Sequence, residues 1–227
     1  MKLHFTHRWE VTPQEALLIQ EHVRHAVIPA GRVGRPSLIA GADAAFDVER
    51  RQIYAAVVVL TFPGLEPVES VVHQTRVRFP YIPGLLAFRE APALLGAFER
   101  LRHDPDVIVI DGHGLSHPRA AGIACDIGLC LDRPVIGCAK SKLIGEFREP
   151  GPDRGATSKL YDAHGRVIGA VVRTRDGVKP VFVSVGHRIS LAEAVRLTLA
   201  CGKGYRIPEP MRQAHLLAER AKREGRS

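Results

Sequence analysis

Short apolar runs and stretches of helical spacing alternate along the chain. Residues 38–46 (LIAGADAAF) and 53–62 (IYAAVVVLTF) are almost wholly apolar and predict two buried strands, joined as a hairpin by the charged turn 49–52. Pro63-Gly64 turns the chain again, and residues 68–79 alternate apolar and polar positions, which predicts a third, half-exposed strand. Residues 106–111 (DVIVID) and 135–139 (VIGCA) have the unbroken apolar character of parallel strands buried on both faces. Residues 167–174 and 180–185 predict a hairpin across Asp176-Gly177, and the polar, Pro/Gly-rich stretch 145–157 a loop.

Between these runs lie helices. Thr12 caps the first, Pro13 opens it, Leu17, Leu18, Val23 and Val27 give it an apolar side, and Pro29 ends it. A second follows residue 85 and is interrupted by Pro92, its later part carrying Leu94, Phe98 and Leu101. A third is expected from Pro118 to about Leu131. Ser190 with Glu193 reads as a capping box for a fourth, to about Leu199. Residues 208–224 form the last, with Leu216 and Leu217 inward, and the terminal AKREGRS is a frayed end. The expected fold class is α/β: a central mixed sheet, three antiparallel strands followed by parallel ones, flanked by helices. Its 227 residues suit a single domain over 1–227.

Composition narrows the partners. The chain is 45% hydrophobic and 25% charged, with a formal charge of +8; this is a soluble, basic protein suited to a polyanion. No apolar run approaches a membrane span, and the opening MKLHFTHRWE has no apolar signal core, so the expectation is a cytoplasmic monomer with no membrane partner. Cys125, Cys130, Cys138 and Cys201 show no CxxC pairing and read as reduced thiols.

Two acids interrupt the buried strands. An ionised carboxylate in an apolar strand is costly unless it is paired or holds a metal, and Asp43 and Asp111 both stand in that position. Either alone could be a turn acid or an arginine partner; on neighbouring strands they point to a divalent cation, with Glu90 a possible third oxygen. Oxygen ligands favour Mg²⁺, or Mn²⁺, over zinc, and such a site suits phosphodiester hydrolysis by metal-activated water. His215 could add a late ligand or be a packing residue. Lys140, at a strand end, could neutralise a phosphate or be an exposed lysine. His117 could donate to a base or phosphate or cap its helix, and Arg89 could hold Glu90 or a phosphate. Gly112-His113-Gly114 directly after a strand would let backbone approach a ligand. Asp126, Asp132 and Glu149 read as surface or capping groups, and His4, His7, His22 and His25 show no metal spacing.

The stretch 80–90, PYIPGLLAFRE, connects these candidates. Pro80 and Pro83 stiffen the backbone around Tyr81-Ile82, and Gly84 relieves the turn. Tyr81 and Ile82 then project from a rigid loop; the competing reading is an ordinary proline-rich loop packing its tyrosine on the core.

Taken together, GADAAF, PYIPGLLAFRE, DGHGLSHPRAAGIACDIG, AKSKLIG and the PEPMRQAH segment, in this order from Leu38 to His215, resemble the endonuclease V (deoxyinosine 3′ endonuclease) family. The resemblance implies a ribonuclease H-like fold. It also implies recognition of deoxyinosine in single- or double-stranded DNA and hydrolysis of the second phosphodiester bond 3′ to it, leaving 3′-hydroxyl and 5′-phosphate ends. By motif, Asp43, Asp111 and Glu90 resemble the metal-binding acids, His215 the last active-site position, and Lys140 the lysine near the scissile phosphate. Tyr81, Ile82, Pro83 and Gly84 look like the wedge that enters the duplex, an action that costs a few kcal/mol of unstacking. Gly112, Gly122 and Ile123 look like pocket walls, with His117 and Arg89 among the substrate contacts. Two departures stand out: Leu85 replaces an aromatic often found in the wedge, and Met211 replaces the threonine of PEPTR. An inosine-specific endoribonuclease and a lesion-binding protein without turnover are the alternatives.

Overall fold

A computed structural model of the chain describes residues 1–225. It contains one eight-stranded sheet, ordered β3-β2-β1-β4-β5-β8-β7-β6. The strands are β1 (Leu38–Asp47), β2 (Gln52–Thr61), β3 (Pro67–Arg76), β4 (Val107–Ile110), β5 (Val135–Ala139), β6 (Thr157–Tyr161), β7 (Val167–Val172) and β8 (Val181–His187). The helices are α1 (Pro13–Ala26), α2 (Leu86–Phe98), α3 (Ile123–Leu131), α4 (Leu191–Ala200) and α5 (Glu209–Glu224). The first three strands are an antiparallel meander, and β1, β4 and β5 run parallel, as expected. β8 then joins β5 antiparallel and extends the sheet through β7 to β6.

The central strands are buried on both faces, and the period of two decides which residue faces which layer. In β4, Ile108 and Ile110 pack with α2 and α3, while Val107 and Val109 pack with α4 and α5. Ile53, Ala55, Val57 and Val59 of β2 join the first layer, and Val58 and Leu60 the second.

Several boundaries depart from the sequence pattern. α2 runs through Pro92 without a break. The proline removes one hydrogen bond, but burying Ala91, Ala93, Leu94 and Leu95 on the sheet offsets that loss. α3 begins at Ile123, not Pro118: residues 118–122 are irregular, held by bonds such as Gly122 N to Gly114 O at 3.1 Å. β3 ends at Arg76, and β6 lies where no strand was expected, because its exposed edge position needs little apolar pattern. Ser190 caps α4, but Glu193 pairs with Arg196 at 2.7 Å. Leu217 packs against the core, whereas Leu216 is 52% exposed. Residues 221–224 of the tail are helical rather than frayed; Arg226 and Ser227 lie outside the described residues. Among the described residues no helix is long and apolar enough to cross a membrane.

Candidate active site

Asp43 and Asp111 meet because of strand register. Ala42 of β1 stands opposite Ile110 of β4, so the next residue of each parallel strand carries an acid at the same level, and Asp111 N donates to Ala42 O at 3.1 Å. α5 reaches them through Gly41. A Cβ there would fall 2.1 Å from the Pro210 carbonyl, so a residue with a side chain would push α5 off the sheet. Lying that close, α5 sets His215 against Asp43, its ring Nδ1–H donating to Asp43 Oδ2 at 2.7 Å. Ala44 N donates to Asp43 Oδ1 at 2.8 Å, and Lys140 Nζ to Asp111 Oδ2 at 2.5 Å.

The cluster carries more negative charge than its one lysine balances. Asp43, Asp111 and His215 offer ligand atoms all within 4.8 Å of one another. Burial, then the Asp111 charge, raises the Asp43 pKa. Glu90, arriving from α2, is pushed up to about 8 by burial first and by the charges of Asp43 and Asp111 next. For Lys140, burial works against its charge, but the hydrogen bond and charge of Asp111 prevail and raise its pKa. Half-buried carboxylates destabilising one another, with an imidazole beside them, form a donor set that could hold a divalent cation. Arg89 lies over the Phe46 ring at 3.9 Å, and its charge opposes the rise at Glu90.

The loop 80–85 stands beside this cluster. Tyr81 is 67% exposed, which excludes the reading in which it packs on the core. Ile82 and Leu85 anchor the loop from below, in a cluster with Phe79 and Phe88; Leu85 thus fills, at 3% exposure, the position where it departs from the family pattern. The turn is held at one atom, the carbonyl oxygen of Gly84, whose φ is +79°. It accepts from Gln20 Nε2 at 2.9 Å, Arg119 Nη2 at 2.6 Å and His117 Nε2 at 3.0 Å. His117 Nδ1 accepts from Arg119 N at 3.2 Å, which places its proton on Nε2. Burial, helped by the Arg119 charge, brings the His117 pKa down to about 4, so the ring is neutral at pH 7. Gln20 also donates to Ala121 O at 3.1 Å and accepts from Arg119 Nε at 2.5 Å. Under the loop opens a cavity of about 270 Å³, walled by Ile82, Pro83, Gly112, His113, Gly122 and Ile123 among others. His113 is kept neutral-leaning by burial and bonds Ser116 Oγ at 2.9 Å.

The structure therefore brings together Asp43, Asp111, Lys140 and His215, with Glu90 close enough to feel the charges of both aspartates but outside the group of converging ligand atoms, and Tyr81, Ile82, Pro83, Gly84, Gly112, His117 and Gly122 around the adjoining cavity. The ring nitrogens of His117 are both engaged by protein groups, so its place here is in the loop anchor. Sequence reasoning missed Gln20 and Arg119. Gln20 shares the buried stripe of α1 with Ala16 and Val23, and a polar residue on such a stripe signals a partner; nothing in the pattern marks Arg119. Asp126 is also corrected: it is 1% exposed, not a surface acid, and bonds His7 Nε2 at 3.0 Å because the N-terminal segment passes over the start of α3.

Residues 21–216 match the Endonuclease V family model. A Dehalococcoides mccartyi Endonuclease V is 47% identical over 218 residues, covering 96% of this chain and 97% of that protein. The chain belongs to the endonuclease V family. Its ribonuclease H-like fold is shared with the crystal structure of the Streptomyces avermitilis endonuclease V, at a TM-score of 0.93 and 40% identity over the full length of both chains. The Ciona intestinalis endonuclease V, a D234N variant solved with a 23mer DNA containing an inosine followed by a ribo-adenosine, aligns at a TM-score of 0.84 and 25% identity, covering 94% and 99% of the two chains. Endonuclease V membership makes the acidic cluster and the exposed loop next to it the parts to be explained by nuclease chemistry.

Proposed function

We propose that the chain is a divalent-cation-dependent endonuclease that takes deoxyinosine from DNA into the cavity beneath Tyr81 and hydrolyses the second phosphodiester bond on its 3′ side. The observation that carries this reading is adjacency: Asp111 belongs to the acidic cluster, and the next residue, Gly112, walls the cavity. A base held in the cavity puts its 3′ phosphates within a nucleotide or two of the acids.

Each residue has a physical task. Tyr81, held out by its two prolines and the anchored Gly84 carbonyl, enters the stack and fills the gap the extruded base leaves. An inosine pair is weaker than a normal pair, which favours extrusion there. Asp43, Asp111 and Glu90, with His215, would hold the cation, Mg²⁺ or Mn²⁺, which when bound activates water and stabilises the departing 3′ oxygen. Lys140 sets a positive charge beside Asp111, where a phosphate oxygen would otherwise meet only carboxylates. Arg89 adds a second positive charge on the Glu90 side. The products carry 3′-hydroxyl and 5′-phosphate ends.

The test is a 5′-labelled duplex with one deoxyinosine, incubated with Mg²⁺ and with EDTA. A single Mg²⁺-dependent nick at the second 3′ bond, lost in Asp43→Ala and Asp111→Ala, is expected; binding without a nick would overturn the nuclease reading. A second reading, an inosine-directed endoribonuclease, draws support from the ribo-adenosine that follows the inosine in the Ciona complex. Cleavage of inosine RNA faster than deoxyinosine DNA of the same sequence would decide for it.

A further inference from the structure

We infer that the hollow at the β1–β2 turn, lined by Arg50, Arg51, Gln52, Arg76 and Val77, is a subsite for backbone phosphates of nucleic acid flanking the reacting nucleotide. The inference rests on the proposed function and gives its polyanion a second point of attachment, away from the acids.

The hollow measures about 250 Å³, and among the described residues no carboxylate lines it; Glu49, on the same turn, does not contribute a wall. Pairing between β2 and β3 puts Gln52 opposite Arg76, and Val77 N donates to Arg51 O at 2.9 Å, so exposed Arg51, on the turn, and exposed Arg76, at the end of β3, border the same hollow. Arg50 reaches the Gly225 carbonyl from the same turn. The guanidinium groups of Arg51 and Arg76 at one concavity repel one another, and a phosphate, which accepts paired N–H bonds from such a fork, offsets that repulsion.

Position argues for the same conclusion. The hollow is at the end of the sheet that carries the acids: from Asp43 to Asp47, which pairs with Gln52, β1 advances four residues, about 13 Å at the strand rise of about 3.3 Å per residue. That is about four base-pair steps of a duplex at 3.4 Å each. Arg89, over the Phe46 ring, stands between the two points, so positive charge runs from the edge of the cluster to the hollow. An enzyme whose centre is acidic needs such a flank, since the centre alone repels its substrate.

The experiment measures binding to two duplexes of one sequence, with and without deoxyinosine, at 50 and 200 mM salt with chelator present, for wild type, Arg51→Ala/Arg76→Ala and Arg51→Lys/Arg76→Lys. Each phosphate contact contributes about 0.9 to the slope of log affinity against log salt. If both arginines touch phosphate, the wild-type advantage over the alanine variant shrinks about twelvefold between the two salts. The loss is equal on both duplexes because the backbone is alike, and lysines retain most of the slope. An unchanged salt slope in the alanine variant, or a loss confined to the deoxyinosine duplex, would overturn the inference. Nicking by wild type, assayed alongside, reports separately on the proposed function; if it fails, the salt slopes still decide whether phosphate binds here.

Discussion

Replacing Glu90 by glutamine should make the cation-free protein more stable, by an amount that grows with pH. In the folded, cation-free protein the Glu90 carboxyl stays protonated up to about 8, against an ordinary value of 4.5, because it is buried and faces Asp43 and Asp111. Between these pH values the unfolded chain binds fewer protons at this group than the folded one, so folding stability falls as pH rises. At about 1.4 kcal/mol per pH unit the ceiling is about 5 kcal/mol; relaxation of a half-buried site brings the expectation to about 2–3 kcal/mol. Glu90→Gln keeps the shape and removes the ionisation. Its advantage over wild type should be absent near pH 4.5, open through pH 6 and 7, and be complete by pH 9. For a chain of this size that is roughly 5–10 °C in melting temperature. The assay is urea unfolding of both proteins in chelator at pH 5, 7 and 9. Adding Mg²⁺ should reverse the order at pH 8, because the cation needs the ionised carboxylate. A difference that stays constant from pH 5 to 9 would refute the reasoning, for it would mean that Glu90 does not share the field of the two aspartates.

Arg119→Ala removes two bonds from the loop anchor and should reduce preference for deoxyinosine over undamaged duplex about tenfold, with little change in slow cleavage of undamaged DNA; equal losses on both would count against an anchoring role. Gln20→Ala, leaving buried carbonyls short of a donor, should cost about 1–3 kcal/mol of stability by denaturant titration and lower the same preference. Tyr81→Ala should weaken binding of the deoxyinosine duplex by about 5–150-fold, the range for one lost base–aromatic stack, acting on KM more than kcat; an unchanged KM would contradict insertion. Asp126→Ala, which strands His7, should cost about 1–3 kcal/mol and expose the N-terminal segment to protease, whereas unchanged digestion would show that the pair does not hold it.

The sequence by itself determined the parts whose physics is local. Apolar runs of strand length placed β1, β2, β4 and β5, and charges within one of them and at the end of another marked Asp43 and Asp111, because a charge in or beside a buried strand needs a reason that composition cannot supply. Two prolines around Tyr81-Ile82 were enough to expect a stiff projecting loop. What only the tertiary structure decided was distance. Parallel register brought Asp43 and Asp111 level, and a glycine allowed α5 to lie on β1 and deliver His215 from 172 residues away. The anchor at Gly84 draws on α1 and the 117–121 segment, and no local pattern encodes that three donors from these two distant segments will meet one carbonyl. The exposed edge strand β6 and the unbroken helix through Pro92 were illegible for the complementary reason: each local preference is worth less than the packing or pairing of the neighbours that override it.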